Sequence, residues 1–319
     1  MLSNSKEKYR ALCREEPSLP VFSRDWWLDA VCGESKWDVL LEEEKGCIRA
    51  TFPLYKPLPH LVTMPPCTQT MGPWFAPGAA DTKYTTDLGK KQTICKAFIH
   101  ELAPNSSFLQ NFNYQITDWL PFYWAGFTQT TRYTYLLENI NNPSLLWSRM
   151  SANIRRNITK AKEKRQITVR RGIPTGELAR ILALTFGRQQ LKAGHIPVLE
   201  RLVAEARKRG QGDIWGGYDA NGALHAAVFT VWQESSAYYI AGGGDPALRD
   251  SGAHSLVMWE AILGASEHTS LFDFEGSMLP GVERFFREFG ATQTPYFSIA
   301  KGKPGLLDRV RMKLLSGES

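Results

Sequence analysis

The chain has 319 residues, 43% of them hydrophobic and 22% charged, which is the balance of a folded globular protein and enough length for two ordinary domains or one large one. No stretch approaches the roughly 18 apolar residues of a membrane span, and the polar start MLSNSKEKYRALCREEPSLP lacks the apolar core of a secretory signal, so the cytoplasm is the expected compartment. The net charge of +6 resides in one segment: residues 149–171 hold nine Lys or Arg and one Glu, while the rest of the chain is slightly acidic, so an anionic partner is expected there rather than over the whole surface.

Taken in order, SRDWWLDAVC (23–32) reads as a helix start with Ser23 as N-cap. WDVLLEEEKGCIRATFPLYKP reads as two strands joined at Glu44-Lys45-Gly46, with Pro53, Pro57 and Pro59 ending the second. Residues 63–81 form a loop rich in Pro, Gly and aromatics, 87–104 an amphipathic helix, 108–127 a strand and an aromatic turn, and 130–139 another strand. A long helix is predicted from Asn142 to about 165, with Pro143 at its first position and Leu146, Met150, Ile154 and Ile158 recurring every fourth residue. Arg156, Lys160 and Lys164 make a parallel basic stripe beside Arg155, suited to a phosphate-rich or nucleic-acid partner; the alternative is a solvated helix face. The strand ITVRRG and two helices over 176–209, split near Gly194, follow.

An internal comparison organises the chain. WDVLLEEEKGCIRATFPLYK (37–56) lies on DIWGGYDANGALHAAVFTVW (213–232) at a constant offset of 176, with Gly46 matching Gly222. This predicts two similar α/β units, residues 1–140 and 141–319. In the second, the hairpin turns at Asp-Ala-Asn-Gly. SSAYYIAGGGDP is a third strand ending in glycines, LRDSGAHSLVMWEAILGASEH a helix, SLFDFEGS a strand, GVERFFREFG a helix and TPYFSIAKG a last strand.

Two constellations carry chemistry. The glycine-rich strand end leads into a helix whose first turn offers unpaired backbone N–H groups at small residues, an arrangement suited to a phosphate or pyrophosphate. Arg249, Ser251, Gly252, Ala253 and His254 are the candidate binding residues, the alternative being an ordinary helix cap. In FDFEGS, alternation along a strand places Asp273 and Glu275 on one face, where a carboxylate can orient an acceptor amine or take its proton; the alternative is capping or pairing. Lys301, past the last strand, is placed to stabilise an oxyanion. The five cysteines, all in the first third without a C-x-x-C pair, and the scattered histidines predict neither a disulfide framework nor a metal site. The aromatics of PFYWAGF and GPWF read as buried core rather than as the lining of an acceptor cleft.

The element order and the loop Arg249-Asp-Ser-Gly252-Ala253-His254 resemble the GNAT acyltransferase fold, whose phosphate loop has the form R/Q-x-x-G-x-G/A and holds the pyrophosphate of acetyl-CoA. His254 stands where that pattern has a second small residue, and Phe286 of VERFFREFGA stands at the tyrosine that protonates the departing thiolate in such enzymes. The chain is more closely similar to FemAB-like proteins, which carry two GNAT-like domains in tandem. RRNITKA (155–161), FDFEG (272–276), FFREFG (285–290), PVFSRDWWLDA and MPP…GPW carry that likeness over nearly the whole length. The resemblance implies two tandem GNAT-like domains with mixed, mostly antiparallel sheets flanked by helices. It also implies transfer of an acyl or aminoacyl group to a small-molecule or peptide amine, directly in a ternary complex, with acyl-CoA as donor. The alternatives are an aminoacyl-tRNA donor in cell-wall synthesis, and a non-catalytic protein that binds nucleic acid or another anion. The segment 176–209 is too short for the helical arm of some tRNA-dependent members.

Overall fold

The computed structural model describes residues 2–78, 81–189 and 196–315. Its helices and strands alternate throughout. The chain opens with helices α1 (Leu2–Glu15) and α2 (Asp25–Cys32), then strands β1 (Trp37–Glu44), β2 (Cys47–Leu58), β3 (Leu61–Thr63) and β4 (Trp74–Phe75). Helix α3 (Tyr84–Leu102), β5 (Ser107–Asn111), α4 (Leu120–Trp124) and β6 (Thr128–Glu138) follow. Next come α5 (Pro143–Arg149), α6 (Ala152–Thr159) with a wider π-type turn over Lys160–Lys164, β7 (Thr168–Arg171), α7 (Thr175–Gln189) and α8 (Ile196–Lys208). The remainder is β8 (Gly212–Tyr218), β9 (Leu224–Trp232), β10 (Ala237–Gly244), α9 (Ala253–Ala265), β11 (Leu271–Asp273), α10 (Pro280–Glu288), β12 (Thr292–Gly302) and α11 (Leu306–Leu315). The helix break expected near Gly194 lies outside the described residues.

Two compact units result, divided differently from the expected 1–140 and 141–319. One runs through Arg132 and resumes at Pro295; the other is Tyr133–Thr294. The chain therefore changes unit in the middle of two strands, β6 and β12. The reason is pairing: the end of β12 lies antiparallel to β5 of the first unit, from Ser298 opposite Asn111 to Gly302 opposite Ser107. Ile299 on that strand is fully buried in the first unit's core with Phe52, Phe98, Phe108, Phe112 and Phe122. Local pattern cannot reveal this, because a period of two marks a strand and not its partner.

In each unit the strand pairing is mixed and mostly antiparallel. In the first unit β1, β2 and β3 are antiparallel neighbours, and β3 runs parallel to β5. In the second, β7, β8, β9 and β10 are antiparallel neighbours, β10 runs parallel to β11, and β11 is antiparallel to β6. The two hairpins related by the 176-residue offset both form. Gly46 and Gly222 occupy left-handed backbone, φ 78° and 81°, with open space where a side chain would stand. In the second hairpin, Asp219 Oδ1 accepts hydrogen bonds from the Asn221 and Ala223 N–H groups, both at 2.9 Å, which fixes the turn.

The expected helix from 142 to 165 is broken. Met150 and Ser151 are extended, Ser151 N–H donates to Glu288 O at 2.8 Å, and Ser151 Oγ caps α6 by accepting from Ile154 N–H at 3.2 Å. A second capping residue inside an otherwise periodic run is the signal that apolar spacing alone overlooks. Helix α1, not anticipated from the polar N-terminal sequence, is fastened by Arg10, which pairs with Asp25, Asp29 and Glu34, and by the fully buried Tyr9. No helix among the described residues is long and apolar enough to cross a membrane.

Candidate acyl-transfer site

The second unit contains a cavity of about 510 Å³ built where β10 outruns its neighbour. β10 pairs with β11 only at Ala237–Phe272 and Tyr238–Asp273. β11 then ends, while β10 continues to Gly244, so the edge of β10 from Tyr239 onward has no strand beside it there. The opening is closed by α10 and by the loop before α9, and the lining runs through Thr185, Tyr239, Gly242–Gly244, Arg249, His254 and Phe286.

The glycines of this strand are demanded by packing. A Cβ on Gly242 would stand 2.6 Å from Ala227 O, and one on Gly243 2.4 Å from Thr185 Oγ1. They let β10 lie flat against β9 and α7 and leave its open edge smooth. A bulge between Tyr239 and Ala241 shifts the register where the cavity starts.

The turn after β11 explains FDFEGS. Asp273 is 1% exposed, and its Oδ1 accepts from the Thr134 hydroxyl and, at 2.7 Å, from the Glu275 N–H. Glu275 is itself in left-handed backbone at φ 58°, followed by Gly276 at φ 62°. A Cβ on Gly276 would stand 2.0 Å from Tyr133 O, so only glycine passes there. The strand ends at Asp273, so the alternation that would set both acids on one strand face stops between them. Asp273 holds the turn, and Glu275 is turned inward with Oε1 enclosed and no hydrogen-bond partner. Burial and then the Asp273 charge hold the Glu275 carboxyl well above the usual carboxylate range.

Tyr239, which the sequence reading passed over, belongs to the same group. It lines the cavity, its ring lies 5.7 Å from that of Phe286, and burial followed by the charge of Glu275 pushes its phenol upward. Phe286 is 2% exposed and stacks on Phe274 at 5.0 Å. The signal in the sequence was an aromatic pair, Tyr238-Tyr239, two residues before the run Gly242–Gly244; strand alternation sets the two on opposite faces, and Tyr239 is the one that lines the cavity.

The loop before α9 departs from an open phosphate cradle. Gly252 has φ 77°, but the space where its side chain would stand is filled by the Asn157 carbonyl of α6, at 2.5 Å. Ala253 is buried and its N–H donates to Ser251 Oγ at 3.2 Å. His254 stacks flat on Phe285, rings 4.6 Å apart and 12° from parallel; Nε2 is enclosed without a partner, and burial pushes the imidazole down to about 4. His225, also buried, lines the same wall, with Nε2 3.3 Å from Asp219 Oδ2. Arg249 is exposed at the rim. What remains to meet an anion is Arg249, the Ser251 hydroxyl and the end of α9 at His254.

The other candidates lie elsewhere. Lys301 belongs to the first unit, donates to Ala125 O at 2.8 Å and sits over the Phe127 ring, and it is not among the residues lining this cavity. On the basic segment, Arg156 and Lys164 are exposed and Lys160 is half-buried. Arg155 turns inward, donating to Trp147 O at 3.2 Å and Ser148 O at 3.4 Å, so it ties α6 to α5 instead of joining the stripe. The first unit has a larger groove, about 780 Å³, with Glu42–Glu44, Arg49 and Lys90 in its lining, and none of its lining residues is a buried polar group lacking a partner. No group of three or more His, Cys, Asp or Glu among the described residues is arranged to hold a metal ion.

Residues 148–287, which supply most of the cavity wall, match the profile of the acetyltransferase (GNAT) domain. The full chain has the fold of tandem GNAT proteins. It superposes on FemX with a TM-score of 0.67 at 13% identity, covering 91% of this chain and 95% of FemX. It superposes on L-PGS from Bacillus licheniformis with a TM-score of 0.55 at 11% identity, covering 98% and 96%. A tandem GNAT protein from the clavulanic acid biosynthesis pathway gives a TM-score of 0.52 at 11% identity, with 94% of each chain covered. At these identities the likeness is one of fold. No curated protein matches the chain by sequence. Within the matched residues, the cavity lies along β10 beyond the point where its pairing with the parallel strand β11 ends.

Proposed function

We propose that the GNAT domain transfers an acyl or aminoacyl group to an amine, with the reacting end of the donor in the 510 Å³ cavity. The observation that carries this reading is the wall of the cavity: the glycines of β10 share it with Tyr239, Phe286 and other residues of α10, and the buried carboxyl of Glu275 acts on Tyr239 from outside that wall. No side chain there is both nucleophilic and paired with a base, which favours direct attack by the amine. In such a transfer the N–C bond forms as the bond from the acyl carbon to its carrier breaks. Positioning supplies much of the rate.

Tyr239 takes the part left open by Phe286. Its phenol stays protonated across the working pH range, so it can give a proton to the departing group and regain one from the amine nitrogen, leaving the enzyme unchanged. Glu275 is near enough for its charge to push that phenol upward, which keeps the proton on Tyr239 between turnovers. Asp273 shapes the turn that presents Glu275.

Acyl-CoA is the donor we favour, because a cavity of about 510 Å³ has room for an acyl thioester and Arg249 is among its lining residues. Such a donor would supply the activated acyl carbon. With Gly252 filled by Asn157 and the Ala253 N–H engaged, Arg249 would carry most of the contact with its phosphates. The second reading, an aminoacyl-tRNA donor, draws on the exposed Arg156, Lys162, Lys164 and Arg165 in the same domain. Calorimetric titration with acetyl-CoA and coenzyme A tests the choice. Micromolar binding that weakens at least about tenfold in Arg249→Ala supports acyl-CoA. No binding by the wild type, together with salt-sensitive binding of tRNA lost in Lys162→Glu/Lys164→Glu, would transfer the assignment to aminoacyl-tRNA. Binding of nucleic acid without transfer would leave the anion-binding reading. Gly252 is unsuitable as a probe, since any side chain there strikes Asn157.

A further inference from the structure

Eleven large apolar side chains are exposed among the described residues, and seven of them gather at one corner of the first unit. Three lie on or beside α4: Leu120, Tyr123 and Trp124, the last two more than half exposed. Three lie on α11: Leu306 at 78%, Leu307 at 75% and Val310 at 49% exposed. Leu109 lies on β5, opposite Ala300. The elements are joined at this corner. Lys301, on the strand that leads into α11, donates to Ala125 O directly after α4, and Gly302 packs so closely on Ser106 that a Cβ would fall 2.2 Å from its carbonyl oxygen.

Asp308 ties α11 to the rest of the unit by one side-chain contact. Asp308 lies 3.1 Å from His60 Nε2 of the same unit and accepts the Gly305 N–H at 3.2 Å. At about 100° per residue, Leu306, Leu307 and Val310 share a face on the side of the helix away from Asp308. Arg309 and Arg311, both exposed, fall on the two flanks of that face. An outward apolar stripe between two basic flanks is the pattern of a helix that lies in the surface of a bilayer, with leucines among the acyl chains and arginines at the phosphates. The rest of the corner repeats it. Trp124 has the Lys96 ammonium 5.7 Å from its ring, Tyr123 is beside it, and Lys301 and Lys303 are exposed.

We propose that this corner docks the protein on an anionic lipid surface, through α11 and the aromatic corner α4. The choice of lipid over a protein partner rests on charge: the five cationic side chains named here, Lys96, Lys301, Lys303, Arg309 and Arg311, are exposed, whereas the two acids beside the apolar groups are engaged, Asp308 with His60 and Asp118 with Gln92 and the Leu120 N–H. The inference stands apart from the transfer reaction, because it concerns the first unit and its test needs no donor or acceptor.

The test is flotation of the full chain with vesicles of phosphatidylcholine alone and of phosphatidylcholine mixed with phosphatidylglycerol. The expected result is capture by the mixed vesicles only, falling steeply as salt rises from about 0.1 M to 1 M. Leu306→Asp/Leu307→Asp should lower the partition coefficient at least about tenfold, since two exposed leucines lose their burial in the acyl region. Arg309→Glu/Arg311→Glu should abolish the preference for phosphatidylglycerol. These side chains are exposed, so melting temperature and acetyl-CoA titration serve as controls that should not move. The proposal is overturned if the wild type ignores the mixed vesicles, if it binds both kinds equally, or if the leucine variant is captured as well as the wild type. It is also overturned if the wild type is a dimer in solution that the leucine variant dissociates, for then a second copy covers the face.

Discussion

Glu275 and His254 give the second unit opposite responses to pH. Glu275 is held protonated in the folded chain, above its unfolded value, so it favours folding at low pH and costs stability as pH rises past the ordinary carboxylate range. His254 is held neutral at about 4, below its unfolded value, so its contribution is complete above about 6.5 and is lost as pH falls from there through 4, to about 3 kcal/mol. Glu275→Gln should therefore raise the melting temperature more at pH 8 than at pH 5, and His254→Phe should flatten the acid limb while keeping the stack on Phe285. Equal effects of Glu275→Gln at both pH values would show that the carboxyl is ionised in the fold. Tyr239 is tested differently. Tyr239→Phe keeps the ring against Phe286, so stability should hold within about 1 kcal/mol. The rate at saturating donor should fall about 100-fold with little change in KM. With an aryl thioester, whose leaving group needs no proton, the deficit should shrink; a deficit independent of the leaving group would assign Tyr239 a packing role.

At the scale of single elements, the decisive feature is β12. Its sequence TPYFSIAKG reads as a strand, and it is one, but its partner β5 lies nearly 190 positions earlier. Ile299→Ala should destabilise the first unit by about 2–5 kcal/mol, measured by urea unfolding, although residue 299 follows the whole of the second unit in sequence. A loss below about 1 kcal/mol would mean that β12 contributes little to that core. The basic segment shows the reverse relation. Its apolar spacing at Leu146, Met150, Ile154 and Ile158 was legible and all four are buried in one core. The break at Met150-Ser151 was not, because the bond that stabilises it comes from Glu288, on another element.

For the molecule as a whole, the two crossings within strands mean that the first unit is not a contiguous piece of chain: the second unit, Tyr133–Thr294, is inserted between its two segments. A fragment ending at residue 140 retains β5 but lacks the strand that covers its edge and the side chain of Ile299. It should show no cooperative thermal transition by circular dichroism, and a peptide spanning 292–315 should restore one. A fragment that melts cooperatively alone would make the exchanged strand dispensable. What the sequence determined by itself were the local and near-local features: two hairpins 176 residues apart, the order of helices and strands, the glycine-rich end of β10, the basic segment and the resemblance to tandem GNAT proteins. Each depends on backbone preference or apolar periodicity within a few residues. The tertiary structure decided which strand completes which sheet, that Gly252 serves a contact with Asn157, that Asp273 builds a turn while Glu275 faces inward, and that Tyr239 shares the cavity with Phe286. Those depend on contacts between residues distant in sequence, and on one strand bulge and two left-handed residues that redirect side chains away from simple alternation.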